Sequence, residues 1–473
     1  MIPASTLALL PAFCAGAMFL LPQGWAARRV VLFDASARIV VLLACLAMFL
    51  VEEEPAWPDS LSLLTACLVA VQSVLVGLSH MRRGSRSRLA GCRDHGVLAG
   101  LLLVALATEP LLVWLALVLT AAVARVSERP GMLDVGMPAT GTADMGDPDG
   151  NITAGGANSP PPLAGGGWGE GSHAASLLFS PTPQPPTPRG EGEFAGRSQT
   201  SVHVGRLGRT AASIGSGRDG LVAGAGCLIL FGLIALPSAP TLLALGCLLL
   251  GQAMLVVMVP ALLPLVLVLV PRFRGIASLT HDAALTDAML MALGLATALA
   301  CGSALLMRPR WLIRSLGLVR FGGQDRLAFL HIAQTGIGVF AFGLGTAEAL
   351  FAGLITLLLV TVTWTAVEIS TAGKAERLVA VAGMAGLPPF GVWPGLVLVV
   401  LATAHRSVWL LLALSLALGL IAWATVARLP AGRWTRSAVP ALAWVPLAAT
   451  VLLGLAIPDI ATAWLRNLTV VPG

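Results

Sequence analysis

The sequence predicts an all-α polytopic membrane protein. Three observations carry that expectation. Of 473 residues, 57% are hydrophobic and 11% charged, with a mean hydropathy of +0.87, whereas soluble domains carry roughly a quarter charged residues. The apolar residues fall in runs long enough to cross a bilayer, which takes roughly 20 residues of helix. Two of those runs contain closely spaced prolines, Pro260 with Pro264 and Pro388 with Pro389. A helix broken in lipid survives only where protein or a wet cavity re-satisfies its freed backbone groups.

Charge and cysteine usage narrow the class. The net charge of +6 comes from arginines placed mostly in short connections, as orientation control across a membrane requires. It therefore reads as topology, and nucleic acid is not an expected partner. Lys374 is the one lysine beside 28 arginines, and tyrosine is absent. That bias implies a GC-rich bacterial genome and, for a multi-pass chain, the bacterial inner membrane. The seven cysteines are scattered without CxxC spacing, which indicates neither a metal site nor a disulfide framework.

In chain order, Ser5 to Leu21 is the first span. It lacks a basic leading segment and a small-residue cleavage site, so a retained helix is expected rather than a signal peptide. The second span, Val30 to Val51, carries Asp34 and Arg38 four residues apart on one helix face, expected as a neutralised pair near the interface. Glu52, Glu53 and Glu54 end it in solvent, and Leu61 to His80 forms the third span. Met81 to His95 holds Arg82, Arg83, Arg86, Arg88 and Arg93 and is expected as a cytoplasmic loop. Thr108, Glu109 and Pro110 divide the following apolar run, Gly96 to Arg125, into two spans, the first borrowing residues from the preceding loop.

Residues 126–218 are rich in Gly, Pro, Ser and Thr and show no sustained periodicity. Such a segment buries too little apolar surface to offset ordering entropy, so it is expected as a disordered extramembrane insertion. The chain thus divides into N-terminal helices (1–125), insertion (126–218) and a membrane core (219–473). The core opens with Leu221 to Leu236 and with Thr241 to Val270, the latter broken at Pro260 and Pro264. Arg272, Arg274, His281, Asp282 and Asp287 are expected in a polar connection, where His281, Asp282 and Asp287 could form a solvated loop with a capped helix start or line an aqueous half-channel. Further spans are Ala288–Leu306, Leu327–Leu344, Ala349–Ile369, Leu378–Ala402 (holding the second break), Val408–Val426 and Val439–Ile457. The total is about thirteen or fourteen spans.

Five segments in order resemble a known family. They are ATEPLLVWLALV (107–118), GQAMLVVMVPAL (251–262), DRLAFLHIAQTG (325–336), the turn Gly343–Gly345 with the helix Leu354–Thr365, and AGLPPFGVW (385–393). Together they resemble the antiporter-like proton-channel subunits of respiratory complex I (NADH-quinone oxidoreductase subunits N, M and L). They also resemble group 4 membrane-bound hydrogenase subunits of the hydrogenase-4 component F type, and Mrp antiporters. The resemblance implies an antiporter-like inverted-repeat bundle with two discontinuous helices. It further implies other membrane and redox subunits of a respiratory or hydrogenase complex as partners, with protons as the translocated ion.

At the family's ionisable positions the chain departs. Val118 stands for the channel glutamate, Leu255 and Leu262 for the lysine and histidine of the first broken helix, Thr356 for the later histidine, Trp364 for the next lysine, and Leu396 for the glutamate after the second break. The polar residues left as proton-path candidates are Glu368, one turn beyond Trp364, then His331 with Gln334, and His281, Asp282 and Asp287. Glu348 and Glu109 are expected at helix starts, where a carboxylate is favourable. Two functions from different classes remain: a proton-conducting subunit that couples electron transfer to translocation, and a structural paralogue that keeps scaffold and partner surfaces. No nucleotide loop, CxxCH haem motif or iron–sulfur cysteine run occurs, so redox cofactors are assigned to partner subunits, and none to this chain.

Overall fold

A computed structural model of the chain describes residues 4–21, 27–51, 59–83, 88–126, 222–235, 242–278, 283–307, 324–370, 375–427 and 442–455. The described residues form helices and turns and contain no strand. After a 3-10 turn at Ala4–Ala8, the N-terminal helices are α1 (Leu9–Leu20), α2 (Ala27–Val51), α3 (Asp59–Arg83), α4 (Arg88–Leu106) and α5 (Pro110–Val126). Then come α6 (Val222–Ala235), α7 (Leu242–Met258), a 3-10 segment at Pro260–Leu265, α8 (Val266–Ser278), α9 (Ala283–Met307), α10 (Gln324–Gly343) and α11 (Ala347–Ile369). The chain closes on α12 (Ala375–Met384), α13 (Trp393–Arg406), α14 (Val408–Val426) and α15 (Trp444–Leu455). Six of these helices are long and apolar enough to cross a membrane, and six shorter apolar ones accompany them. The protein is a multi-pass membrane protein. Apart from Val126, which closes α5, the expected insertion lies outside the described residues, as do His281 and Asp282.

Charge misled the boundaries in two places. The expected loop from Met81 to His95 is mostly helix, because α3 runs on to Arg83 and α4 starts at Arg88. The expected polar connection at Arg272, Arg274 and Asp287 is likewise helical, with both arginines in α8 and Asp287 in α9. At the start of α11 the capping group is Thr346, whose hydroxyl accepts from the Ala349 N–H at 3.2 Å. Glu348 sits exposed in the first turn, favourable to the helix dipole, 3.7 Å from Nδ1 of His405.

Both proline breaks are present. In the first, Pro260 opens the 3-10 segment and Pro264 sits buried inside it, while the Leu262 N–H donates to the Val259 carbonyl at 2.9 Å. In the second, α12 ends in a Schellman motif: Leu387 N–H donates to the Ala382 carbonyl (3.0 Å) and Gly386 N–H to that of Gly383 (3.1 Å). Gly386, at φ +84°, supplies the left-handed residue this motif needs. Pro388 and Pro389 follow, joined by a cis peptide. The chain then returns, with Val392 N–H donating to the Gly383 carbonyl at 3.1 Å and Gly391 N–H to the buried Thr450 hydroxyl at 3.0 Å. The groups freed by the break are thereby satisfied inside protein.

Small residues let the core helices approach. A Cβ on Gly294 would meet the backbone of Gly336 and Phe340, and one on Gly343 the backbone of Asp287 and Met291. This α9–α10 seam is the close backbone packing that membrane helices use in place of a hydrophobic drive. Gly391 is tighter still, with φ +77° and the Gly383 backbone directly opposite. Gly391→Ala is expected to cost about 2 kcal/mol or more and to lower the melting temperature of the detergent-purified chain. Gly419→Ala, with nothing within 4 Å, should leave that temperature unchanged or raise it. Equal melting of the two variants would contradict this account of the second break.

Candidate functional site

The central region of the bundle is packed. Leu255 and Leu262, on either side of the first break, are fully buried, as is Thr356, whose hydroxyl donates to its own helix at the Ala352 carbonyl (2.7 Å). Gly395 of α13 presses against Thr356, and Leu396 is buried beside Gly386. Trp364 stacks on His331 with ring centroids 4.3 Å apart and planes at 24°. His331 and Gln334 are buried together on α10; the His331 Nδ1 and both polar atoms of the Gln334 amide have no hydrogen-bond partner among the described residues. A cavity of ≈ 70 Å³ adjoins them between α7, α8, α9 and α10, lined by apolar groups with Gln252, Thr297 and Thr335. Walls of that kind favour a dry cavity, and a dry cavity carries no proton wire.

Asp287 is not in a loop cluster. It pairs with Arg274 of α8, its Oδ1 3.2 Å from Nε and its Oδ2 accepting from Nη2 at 3.3 Å. This fork joins α8 to the start of α9 beside Gly345, whose φ is +75°. Arg272 donates to the carbonyls of Val104 and Ala105 (both 2.8 Å) and to the Ser62 hydroxyl (3.1 Å). It thereby caps the C-terminal end of α4, where a cation also suits the helix dipole. Arg272 ties the first broken helix to the N-terminal helices, and Arg274 ties it to α9.

The densest ionisable group lies where α2, α3, α4 and α11 meet. Asp34 and Arg38 are 0% and 3% exposed, with Arg38 Nε donating to Asp34 Oδ1 at 3.2 Å. The pair is as the spacing predicts but is buried, about 10 and 16 Å along α2 from its start at 1.5 Å per residue. The Arg38 Nη1 donates to the Ser73 carbonyl (2.9 Å) and hydroxyl (2.8 Å) of α3, and its Nη2 lies 3.6 Å from Asp94 Oδ2 of α4. His95, 0% exposed, brings Nε2 to 3.1 Å from Asp34 Oδ1. On the outer side Arg93 pairs with Asp94 at 3.2 Å. Glu368, exposed at the last turn of α11, accepts from the Gln72 amide at 3.1 Å across 296 residues. The Gln72 contact thus places Glu368 against α3.

Asp94, His95, Gln72 and the buried Glu376 are polar residues that the sequence did not single out. For Asp94 and His95 a usable signal existed. Gly96 to Ala107 is too short to span, and a helix of roughly 20 residues ending there must start near Arg88, with both residues inside it.

No family model and no curated protein matches the chain. Solved structures share its fold. A chain of respiratory complex I from Thermus thermophilus with bound NADH aligns at TM-score 0.55 and 15% identity, over 98% of each chain. A chain of the membrane-bound sulfane sulfur reductase, an archaeal respiratory membrane complex, aligns at TM-score 0.57 and 13% identity, over 98% of this chain and 96% of that one. A chain of the Mrp complex from Dietzia sp. DQ12-45-1b aligns at 0.54 and 14%; this chain spans 99% of its own length but about half of that chain (51%). The fold is therefore that of antiporter-like membrane subunits.

Removing one partner of a buried ion network leaves an uncompensated charge. Arg38→Met is expected to cost about 3–5 kcal/mol, read as a lower melting temperature in detergent. Asp34→Asn combined with Arg38→Met should recover part of the loss. Wild-type melting of Arg38→Met would show that these groups are not a buried network.

Proposed function

We propose that the chain is an antiporter-like subunit of a multi-subunit complex in the bacterial inner membrane. The parent complex is of the complex I-like or hydrogenase-4 type, and it couples electron transfer in partner subunits to proton translocation. The observation that carries this reading is the fold likeness to a chain of respiratory complex I, over 98% of both chains, together with the two discontinuous helices of this chain. Broken helices at membrane depth are where membrane transporters bind or pass ions. Redox groups belong to the partners. Proton-path roles are assigned to Glu368 first, then to Asp287, His331 and Gln334, while His281 and Asp282 are carried forward from the sequence.

A second reading, a scaffold subunit that does not conduct, is favoured by one specific observation. Leu255, Leu262, Thr356 and Leu396 are packed and buried at the positions where the resembled family is ionisable. One measurement tests both readings and a second separates them. The tagged chain, extracted in mild detergent, is expected to co-purify with hydrophilic redox subunits, and purification as a lone protein would remove both. In vesicles holding the complex, Glu368→Gln is expected to lower proton uptake by about tenfold or more while assembly stays intact. Undiminished uptake in that variant, with disassembly only on loss of the whole chain, supports the scaffold.

A further inference from the structure

We infer that His95, Asp34, Arg38 and Asp94 form a proton-binding site, in which His95 holds one proton as an imidazolium against Asp34. The first support is geometric. His95 Nε2 stands 3.1 Å from Asp34 Oδ1 with both side chains 0% exposed. Arg38 is already committed to Asp34, the Ser73 carbonyl and hydroxyl, and Asp94. The second is that neither ring nitrogen of His95 has an aligned hydrogen-bond partner among the described residues. A buried imidazole so placed is aimed at a carboxylate without the contact that would fix it as a neutral structural group.

Charge matching supplies the third support. The ionisable groups of the cluster are Asp34 and Arg38 of α2 and Arg93 and Asp94 of α4, with Glu368 of α11 joined to its edge through Gln72. Gln72 and Ser73 of α3 and Met18 of α1, which packs at Gly91 beside Asp34, are uncharged. With all of these groups ionised, three carboxylates face two guanidiniums, and one proton on His95 balances them. Uncompensated charge at this depth is expensive, and a proton is the cheapest cation to supply because it needs no coordination shell.

The site also has ports. Asp94 and Arg93 are 25% and 38% exposed, at the end of the bundle where α2 and α4 begin and α3 ends among Arg28, Arg29, Arg82, Arg83 and Arg88. Glu368, exposed and accepting a hydrogen bond from Gln72, the neighbour of Ser73 on α3, is the second. Proton transfer through the site rests on the proposed subunit function, but occupancy does not, so occupancy is measured on the full chain alone.

The test uses the full chain with nitrogen-15 in its seven histidines, in lipid nanodiscs at neutral pH. Solid-state NMR distinguishes imidazolium from neutral imidazole, and His95 is the signal lost in His95→Gln. A chain retaining His95 as its sole histidine provides the assignment if that variant does not fold. The expected result is an imidazolium at His95 that becomes neutral in Asp34→Asn. In Glu368→Gln it should persist, with ring-proton exchange slowed by about tenfold. A neutral His95 in the wild type, an imidazolium that survives Asp34→Asn, or one displaced by added sodium overturns the site. An unchanged exchange rate in Glu368→Gln overturns Glu368 as its port.

Discussion

A helix that stops inside a bilayer must find new partners for the backbone groups it releases, since lipid supplies none. The architecture around the second break follows from that constraint. One carbonyl, Gly383, accepts from both Gly386 and Val392, and Thr450 of α15 accepts from Gly391. These bonds need the chain to turn back on itself within van der Waals contact, which restricts Gly391 to a residue without a side chain and leaves little room for one at Gly383. The first break meets the same demand differently, through a 3-10 segment whose carbonyls are taken up locally. Arg272 and Arg274 then anchor the helix after it to α4 and α9.

What the scaffold keeps and what it moves are separable. The breaks and the glycine seam shape the scaffold, while the middle of the bundle is apolar and close-packed around Leu255, Leu262 and Leu396. Ionisable groups are not missing from the membrane interior. They gather instead between α2, α3, α4 and α11, where Asp34, Arg38 and His95 are each at most 3% exposed. Burying such a set costs several kcal/mol per ion unless the geometry is complementary. The bidentate-like engagement of Arg38 with Ser73, its ion pairs with Asp34 and Asp94, and its approach by His95 through Asp34 meet that requirement.

Local pattern made much of the fold legible. Val408–Val426 reads as a helix from its apolar run alone, and the two breaks follow from the chemistry of Pro260, Pro264, Pro388 and Pro389. Boundaries failed where charge was weighed as a mark of loops: Arg93 and His95 lie inside α4, and Asp287 inside α9. His95 and Asp287 tolerate the helix because each meets a partner from another element, and partnership is a tertiary fact. The Asp34–Arg38 pair was visible because its spacing is local. The contacts of His95 with Asp34 and of Gln72 with Glu368 join residues far apart in sequence, and no periodicity signals them. Glu368 was visible as a polar residue in an apolar helix, but its direction was not.

We propose that protons pass beside the central region of an antiporter-like scaffold, along α2, α4 and α11. The most direct measurement is a double-mutant cycle of Asp34→Asn and Glu368→Gln, scored as proton uptake by vesicles containing the intact parent complex. Groups on one pathway are not independent. Each single variant is therefore expected to lose most of the uptake, and the double variant to lose no more than the worse of the two. Losses that multiply, or uptake undiminished in all three, would contradict the account.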